Sequence, residues 1–475
     1  MKYVSTRGGV EPKEFSDIVL EGLASDGGLF MPEKYPQIYL HELHSIEPKD
    51  YAKTAMIILQ KFVGDIPKKD LATIVEKTYT RKAFKSKEVV PVKLMFDDLW
   101  LADLSCGPTL AFKDIALQFL GNLFEYSLDR KDSYLNLLGA TSGDTGSSAQ
   151  QGCIGKKRLA TFILSPLEGM SDFQAAQMRS INDKNTHNIA VRGVFDDGQN
   201  LVKEVNSDLT FKEKYHIGAV NSINWARVAA QVVYYFHSYP QVVKHIGDNV
   251  DFSIPTGNFG NICAGWIAKQ MGLPIRRLIL ATNENDVLDE FFRTGIYQAR
   301  NTKDVVQTSS PSMDISNASN IERFFYDISG RDSSVVRSWM GKVKRGEALD
   351  LNETVYFERV KNSGIVSGRS NSEDRINMIR EVYDAADMII DPHTADGVRV
   401  AIDHYNGNVP IVCLATAKPT KFEATIQKAL EFIPSRPEEF IRIERLPQHY
   451  TTIDKGDVEG LKSYVAKHAI SERLF

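Results

Sequence analysis

Between residues 134 and 415, short apolar runs repeatedly end in loops rich in Gly, Ser, Thr and Asn, and each such loop opens a helical stretch. Tyr134–Leu138 reads as a strand that runs into Ala140-Thr141-Ser142-Gly143-Asp144-Thr145-Gly146, with a helix from Ser147 to Cys153 behind it. Leu159–Leu164 and Ile189–Val191 are the next strands, separated by a helix starting near Ser171. Leu201–Leu209 is helical, and Asn224–His237 places Trp225, Val228, Ala229, Val232, Val233 and Phe236 on one helical face. A second series begins at Phe252–Pro255, followed by Thr256-Gly257-Asn258-Phe259-Gly260-Asn261 and the helix Ile262–Met271. Arg277–Ala281, Met388–Ile390 and Ile411–Ala415 continue it as strands, with helices at Asp286–Phe292, Glu373–Ala386, Thr394–His404 and Lys421–Leu430. Strands alternating with helices build βαβ units, which place parallel strands in one sheet with helices on its faces.

At 475 residues the chain exceeds what one core holds. The pattern therefore predicts an α/β protein with two parallel-sheet domains. Residues 1–92 show amphipathic helices at Phe15–Leu23, Asp50–Val63 and Asp70–Tyr79 without strand alternation, and form a mainly helical N-terminal domain. Residues 93–130 and 245–475 are assigned to the larger α/β domain and 131–244 to the smaller. Within the larger, 297–368 is polar and weakly periodic, which suggests an insertion or covering segment.

Charge and cysteine usage exclude several functions. The net charge is −4 and there is no basic block, so neither nucleic acid nor an anionic membrane surface is an expected partner. Cys106, Cys153, Cys263 and Cys413 lie too far apart for a metal-ligand spacing, and no Gly-x-Ser-x-Gly elbow occurs. Met1–Gly9 has no apolar leader and no run reaches membrane-spanning length. The expectation is a cytoplasmic protein that handles a small molecule, as a monomer or homodimer, with no metal.

One lysine stands out. In Leu104-Ser105-Cys106-Gly107-Pro108-Thr109-Leu110-Ala111-Phe112-Lys113-Asp114, Lys113 follows a Gly-Pro turn and opens a helix whose apolar stripe is Ile115, Ala116, Leu117, Phe119, Leu120 and Leu123. A lysine pressed toward such a stripe loses hydration, which favours the neutral amine that imine chemistry needs. A lysine that lays its stem over apolar surface and keeps its head in water would share the pattern.

Four polar loops could serve it. Gly257, Asn258, Phe259, Gly260 and Asn261 lie between a strand and a helix, where free backbone N–H groups and the helix dipole favour a small phosphate, or where an ordinary glycine-rich turn would sit. Thr141, Ser142, Asp144 and Thr145 crowd hydroxyls and a carboxylate at a similar position, suited to an anionic substrate group or to capping the helix. Asn221, Ser222 and Arg227 combine an amide, a hydroxyl and a guanidinium at another helix start, which by itself reads better as a capped helix with a solvated arginine. Thr416 follows the strand Ile411–Ala415, and a hydroxyl at a strand end can hydrogen-bond a ring nitrogen in the crevice. His393, in Asp391-Pro392-His393-Thr394, is explained by capping or packing. A phosphate-bearing cofactor that forms an imine with lysine would use the lysine and the cradle together, and pyridoxal 5′-phosphate has that chemistry.

These residues together resemble the threonine synthases, pyridoxal-phosphate enzymes of the tryptophan-synthase-β-like group. The matching stretches run nearly end to end: Tyr3–Gly9, Gly22–Pro32, Gly107–Asp114, Ala140–Gly146, Asn221–Arg227, Pro255–Asn261, Ala281–Asp286, Ser312–Ile315 and Asp391–Ala395. The first two are similar to the longer form, which carries an additional N-terminal domain. The resemblance implies a fold-type II enzyme with Lys113 holding the cofactor as a Schiff base and later shuttling protons. It implies that Gly257–Asn261 bind the cofactor phosphate, that Thr416 contacts the pyridine nitrogen, and that Asp144 stands near the ring hydroxyl. Thr141, Ser142, Thr145, Asn221, Ser222 and Arg227 would hold the carboxylate and phosphate of O-phospho-L-homoserine. The implied reaction converts that substrate and water to L-threonine and phosphate, the last step of threonine biosynthesis. Asn261 and Lys418 depart from aspartate and histidine in some members. A lyase that releases phosphate and a keto acid on the same fold, and a non-enzymatic ligand-binding relative, are the alternatives.

Overall fold

The computed structural model describes residues 1–86, 88–141, 143–219 and 222–471. Two sheets organise it. The larger has six strands in the order Ile365–Arg369, Ile275–Thr282, Val250–Pro255, Ile411–Ala415, Leu99–Asp103 and Val92–Phe96. All neighbours are parallel except the last pair. The smaller has five parallel strands in the order Thr451–Asp454, Thr186–Arg192, Leu159–Pro166, Leu135–Ala140 and Ile217–Ala219. Val250–Pro255, Ile411–Ala415 and Leu159–Pro166 are buried along their whole length. Strands covered on both faces need no polar alternation, and Ile411–Ala415 reads as an unbroken apolar run, while Val250–Pro255 buries Asp251 and Ser253 among its apolar residues.

The helices Lys113–Arg130 and Asp144–Cys153 touch backbone to backbone. A Cβ on Gly121 would lie 1.9 Å from the Gly152 carbonyl oxygen, and one on Gly152 would lie 2.4 Å from that of Leu117. Only glycine at both positions permits this approach. It sets Lys113 and Asp144, each the first residue of its helix, side by side.

The N-terminal segment has the expected helices, at Phe15–Glu21, Tyr51–Phe62 and Lys68–Thr78. It also carries a small antiparallel ribbon of Tyr3–Ser5 and Phe30–Pro32 that the sequence reading did not anticipate. Tyr3 and Phe62 pack on Trp225 at ring distances of 5.7 and 5.6 Å, and the apolar residues of this segment are continuous with the main core. The turn after its first strand is anchored far away: Thr6 and Arg7 bind the Glu322 carboxylate at 2.6–3.0 Å.

Two expectations need correction. The assignment of 245–475 to one domain fails at its end, because Thr451–Asp454 adds to the smaller sheet and Leu461 and Val465 of the helix Val458–His468 enter that domain's core. Asn136 seals the junction through hydrogen bonds with the backbone of Ile470. Met388–Ile390 is no strand; it links the helices Ser372–Ala386 and Pro392–His404, and its side chains fill the core beside the larger sheet. An apolar run of that length reads the same in either setting. The region 297–368 holds the helices Ile321–Ile328, Ser333–Lys344 and Val355–Lys361, with Phe324 and Phe325 fully buried. The sheet's edge strand Ile365–Arg369 begins within it.

Candidate functional site

Lys113 and the polar loops stand at the carboxyl ends of strands from both sheets, where α/β folds leave a crevice. The turn before Lys113 is fixed by the residue after it. Asp114 accepts hydrogen bonds from the Thr109 N–H at 2.7 Å and its hydroxyl at 2.8 Å. A Cβ on Gly107 would meet the Asp114 side chain at 2.3 Å, so this tight turn requires glycine. Phe112 N–H donates to the Thr416 carbonyl at 2.8 Å and Lys418 N–H to that of Leu110 at 3.0 Å, so the lysine turn and the Thr416 loop are bound together. Thr416 itself is buried at the end of its strand.

The helix behind Lys113 has the expected stripe, with all six apolar residues at most 5% exposed. Burial is the main cause that lowers the Lys113 pKa, with the Lys421 and Arg227 cations adding to it and Asp144 opposing it. Lys113 Nζ lies 3.8 Å from Asp144 Oδ2. That carboxyl is kept below the usual range: burial pushes it up, but Lys421 and Lys113 outweigh burial.

Lys421 was not among the residues singled out in the sequence. Its side chain is fully buried, and its ammonium donates to Asp144 Oδ1 at 2.8 Å, the Thr109 carbonyl at 2.8 Å and Gln177 Oε1 at 2.9 Å. Gln177 in turn donates to the Thr109 carbonyl at 3.2 Å, and Gln174 to Asp144 Oδ1 at 3.2 Å. No local pattern in Pro419-Thr420-Lys421-Phe422 marks this lysine; only the packing does.

The two glycine loops differ in how their polar groups are used. Thr141 Oγ1 accepts from the N–H groups of Gly143 and Gly146, both at 3.0 Å, so it caps its own helix. Thr145 is half-buried in the first turn. The other loop enters the helix Gly260–Gln270 through Phe259, held in the left-handed region at φ 62°. Tyr234 and Tyr235 donate to Asn261 Oδ1 at 2.5 and 2.9 Å, while Asn261 Nδ2 is buried with no hydrogen-bond partner among the described residues. A Cβ on Gly257 would meet the Ser312 carbonyl oxygen at 2.7 Å.

Ser222 reaches this cradle through Ser319, with hydroxyls 3.0 Å apart, and Ser319 donates to Asn258 Oδ1 at 3.2 Å. Arg227 is buried near the start of the helix Trp225–Ser238, where burial lowers its pKa to about 10. His393 accepts from Ser312 N–H at 3.1 Å and bonds Asp391 at 2.8 Å, a packing role. Ser142 and Asn221 lie outside the described residues. Among the described residues no cluster of ligating side chains could hold a metal ion, and no helix is long and apolar enough to cross a membrane.

The donor set fits a phosphate-bearing aldehyde. An amine whose basicity burial lowers stands at the crevice, the glycine loop opens a helix whose first N–H groups suit an anion, and the buried Asn261 amide has no hydrogen-bond partner among the described residues.

Comparison with known proteins agrees. Residues 88–416 match the family described as pyridoxal-phosphate dependent enzyme. Residues 2–79 match the threonine synthase N terminus and 394–465 the threonine synthase C-terminal family. A threonine synthase of Methylobacillus glycogenes is 50% identical, covering 98% of this chain and 100% of its own. One of Corynebacterium glutamicum is 48% identical over 98% of each. The crystal structure of pyridoxal-phosphate-bound threonine synthase from Brucella melitensis superimposes with a TM-score of 0.94 at 38% identity, covering 99% of this chain and 100% of its own.

Proposed function

The chain belongs to the threonine synthase family, and we propose that it converts O-phospho-L-homoserine and water to L-threonine and phosphate. Pyridoxal phosphate is its cofactor. When bound, the cofactor supplies an aldehyde that takes up amino groups and a ring that draws electron density from the neighbouring carbons.

The chain's own residues divide the remaining work. Lys113 would hold the cofactor, and its amine would also remove and return protons at the substrate carbons, a task suited to an amine that burial keeps less basic. Gly257, Asn258, Phe259, Gly260 and Asn261 bind the cofactor phosphate through backbone N–H groups and the free Asn261 amide. Thr416, a hydroxyl rather than a carboxylate, contacts the pyridine nitrogen without protonating it, and Asp144 stands at the ring hydroxyl. Thr141, Ser142, Thr145, Asn221, Ser222 and Arg227 orient the substrate's carboxylate and phosphate. The protein works in the cytoplasm as a monomer or homodimer.

The observation that carries this reading is Lys113, half-buried at the head of its helix, with Asp144 3.8 Å away and Arg227 among the cations that lower its pKa. The test is the product formed from O-phospho-L-homoserine. Threonine and phosphate are expected; 2-oxobutanoate in place of threonine would make the protein a phospho-lyase. Arg227→Ala should raise KM for the substrate by about 10- to 150-fold, the loss of roughly 1.5–3 kcal/mol of charge-assisted hydrogen bonding. An unchanged KM would remove Arg227 from the site.

A further inference from the structure

A half-buried lysine, Lys113, and a buried one, Lys421, share one carboxylate in this site. Lys421 has the close contact, with its Nζ at 2.8 Å from Asp144 Oδ1. Lys113 has only a distant one, 3.8 Å from Oδ2, beyond hydrogen-bond length. The other two Lys421 partners are the Thr109 carbonyl and Gln177, and Thr109 belongs to the turn that presents Lys113. We propose that Lys421 is a positioning residue, whose ammonium occupies Asp144 and ties it to the Thr109 turn, so that the carboxylate does not close on Lys113 and the Lys113 nitrogen stays available to the cofactor.

The proposal rests on the reading of Lys113 as the cofactor-bearing lysine and adds a cause for its availability. Without Lys421, Asp144 would have one cation left within reach, and a tight Lys113–Asp144 pair would hold Lys113 as an ammonium. The groups facing Asp144 are Lys113, Lys421 and His393, with the Gln174 amide. Those facing Lys113 are Asp144, Lys421, Arg227 and Asp114. Of the four, Lys421 and Arg227 disfavour the ammonium, while Asp144 and Asp114 favour it. Removing Lys421 deletes a disfavouring cation and frees a favouring anion, and both changes act in the same direction.

Loading the cofactor shows the effect directly. The neutral Lys113 nitrogen bonds to the aldehyde carbon, and the carbonyl oxygen leaves as water with the two amine protons, so the rate follows the neutral fraction of Lys113. The experiment uses the full chain, resolved of cofactor and reloaded with pyridoxal 5′-phosphate between about pH 6 and pH 10. The product is trapped with borohydride and the modified residue is located by mass spectrometry.

In Lys421→Gln the midpoint of loading should move upward by about one pH unit or more, with loading at pH 7 about tenfold slower. Lys421→Arg, which keeps the charge, should restore the wild-type midpoint. Gln177→Glu, a near-isosteric change that sets an anion against Lys421, should move the midpoint the same way by less. A folded Lys421→Gln protein with the wild-type midpoint overturns the proposal. Should that variant fail to fold, an unmoved midpoint in Gln177→Glu does so. Wild-type cofactor trapped on a residue other than Lys113 would overturn both this proposal and the reading beneath it. Trapping at Lys113 with an unmoved midpoint overturns this one alone.

Discussion

Thr141–Gly146 and Thr256–Asn261 look alike as sequence: each follows a strand, precedes a helix and mixes glycine with hydroxyls or amides. The folded chain makes them opposites. The first is closed on itself, since Thr141 caps two N–H groups of its own loop and Asp144 is taken up by two lysines. The second is open, since its helix entry is a left-handed Phe259 and the buried Asn261 amide has no partner among the described residues. Two loops of like sequence thus differ in whether their helix-start N–H groups are capped from within the loop. The first loop supplies the lysine's carboxylate partner, and the second is the one proposed to cradle the cofactor phosphate.

The largest effect tests the residue both loops serve. Lys113→Ala should leave no borohydride-trapped cofactor and lower kcat by about a thousandfold or more. Gly257→Ala comes next. Its Cβ would meet backbone, at 2.7 Å from the Ser312 carbonyl oxygen and 3.1 Å from Met313 Cα, and backbone yields little. Cofactor affinity should fall by about 30- to 150-fold, or roughly 2–3 kcal/mol. Thr141→Val should behave differently. It removes the acceptor of two N–H groups and should cost about 1–2 kcal/mol of stability in urea unfolding, with cofactor affinity nearly unchanged. Equal losses of cofactor affinity in Gly257→Ala and Thr141→Val would end the distinction between the loops.

How much of this was legible in the sequence depended on whether the determining contacts were local. Ile411–Ala415 is a strand with the same bounds in both readings, because five consecutive apolar residues between turns carry the signal alone. Lys113 was legible because its helix announces an apolar face. Lys421 was not, because its partners Gln177 and Thr109 lie 244 and 312 residues away. Thr451–Asp454 escaped for a different reason: four residues with only Ile453 buried give no periodicity, and the strand exists because Thr186–Arg192 offers an edge. Likewise, the Asn261 amide drew notice as part of a glycine loop, but nothing nearby reveals that tyrosine hydroxyls occupy its oxygen and leave its nitrogen.

The smallest effect separates the loops by charge. The Asp144 carboxyl is pushed up by burial but held, on balance, below its ordinary value of about 3.8 by Lys421 and Lys113. A carboxylate depressed in the folded state contributes stability that is fully present above the unfolded value and is lost as pH falls through the folded one. In that acid window the unfolded chain carries a proton at residue 144 that the folded chain lacks, so unfolding takes up a proton there. Asp144→Asn removes that proton, and the number taken up on unfolding below about pH 4 should fall by up to about one. The cradle has no such group, since Asn261 is neutral at every pH in that range. Asn261→Ala should therefore leave the proton count as it is, even though it deprives two tyrosine hydroxyls of their acceptor. Urea unfolding followed from neutral pH down into this window measures both counts. A wild-type count in Asp144→Asn would show that the two lysines do not hold this carboxylate ionised, and the electrostatic half of the comparison would fall.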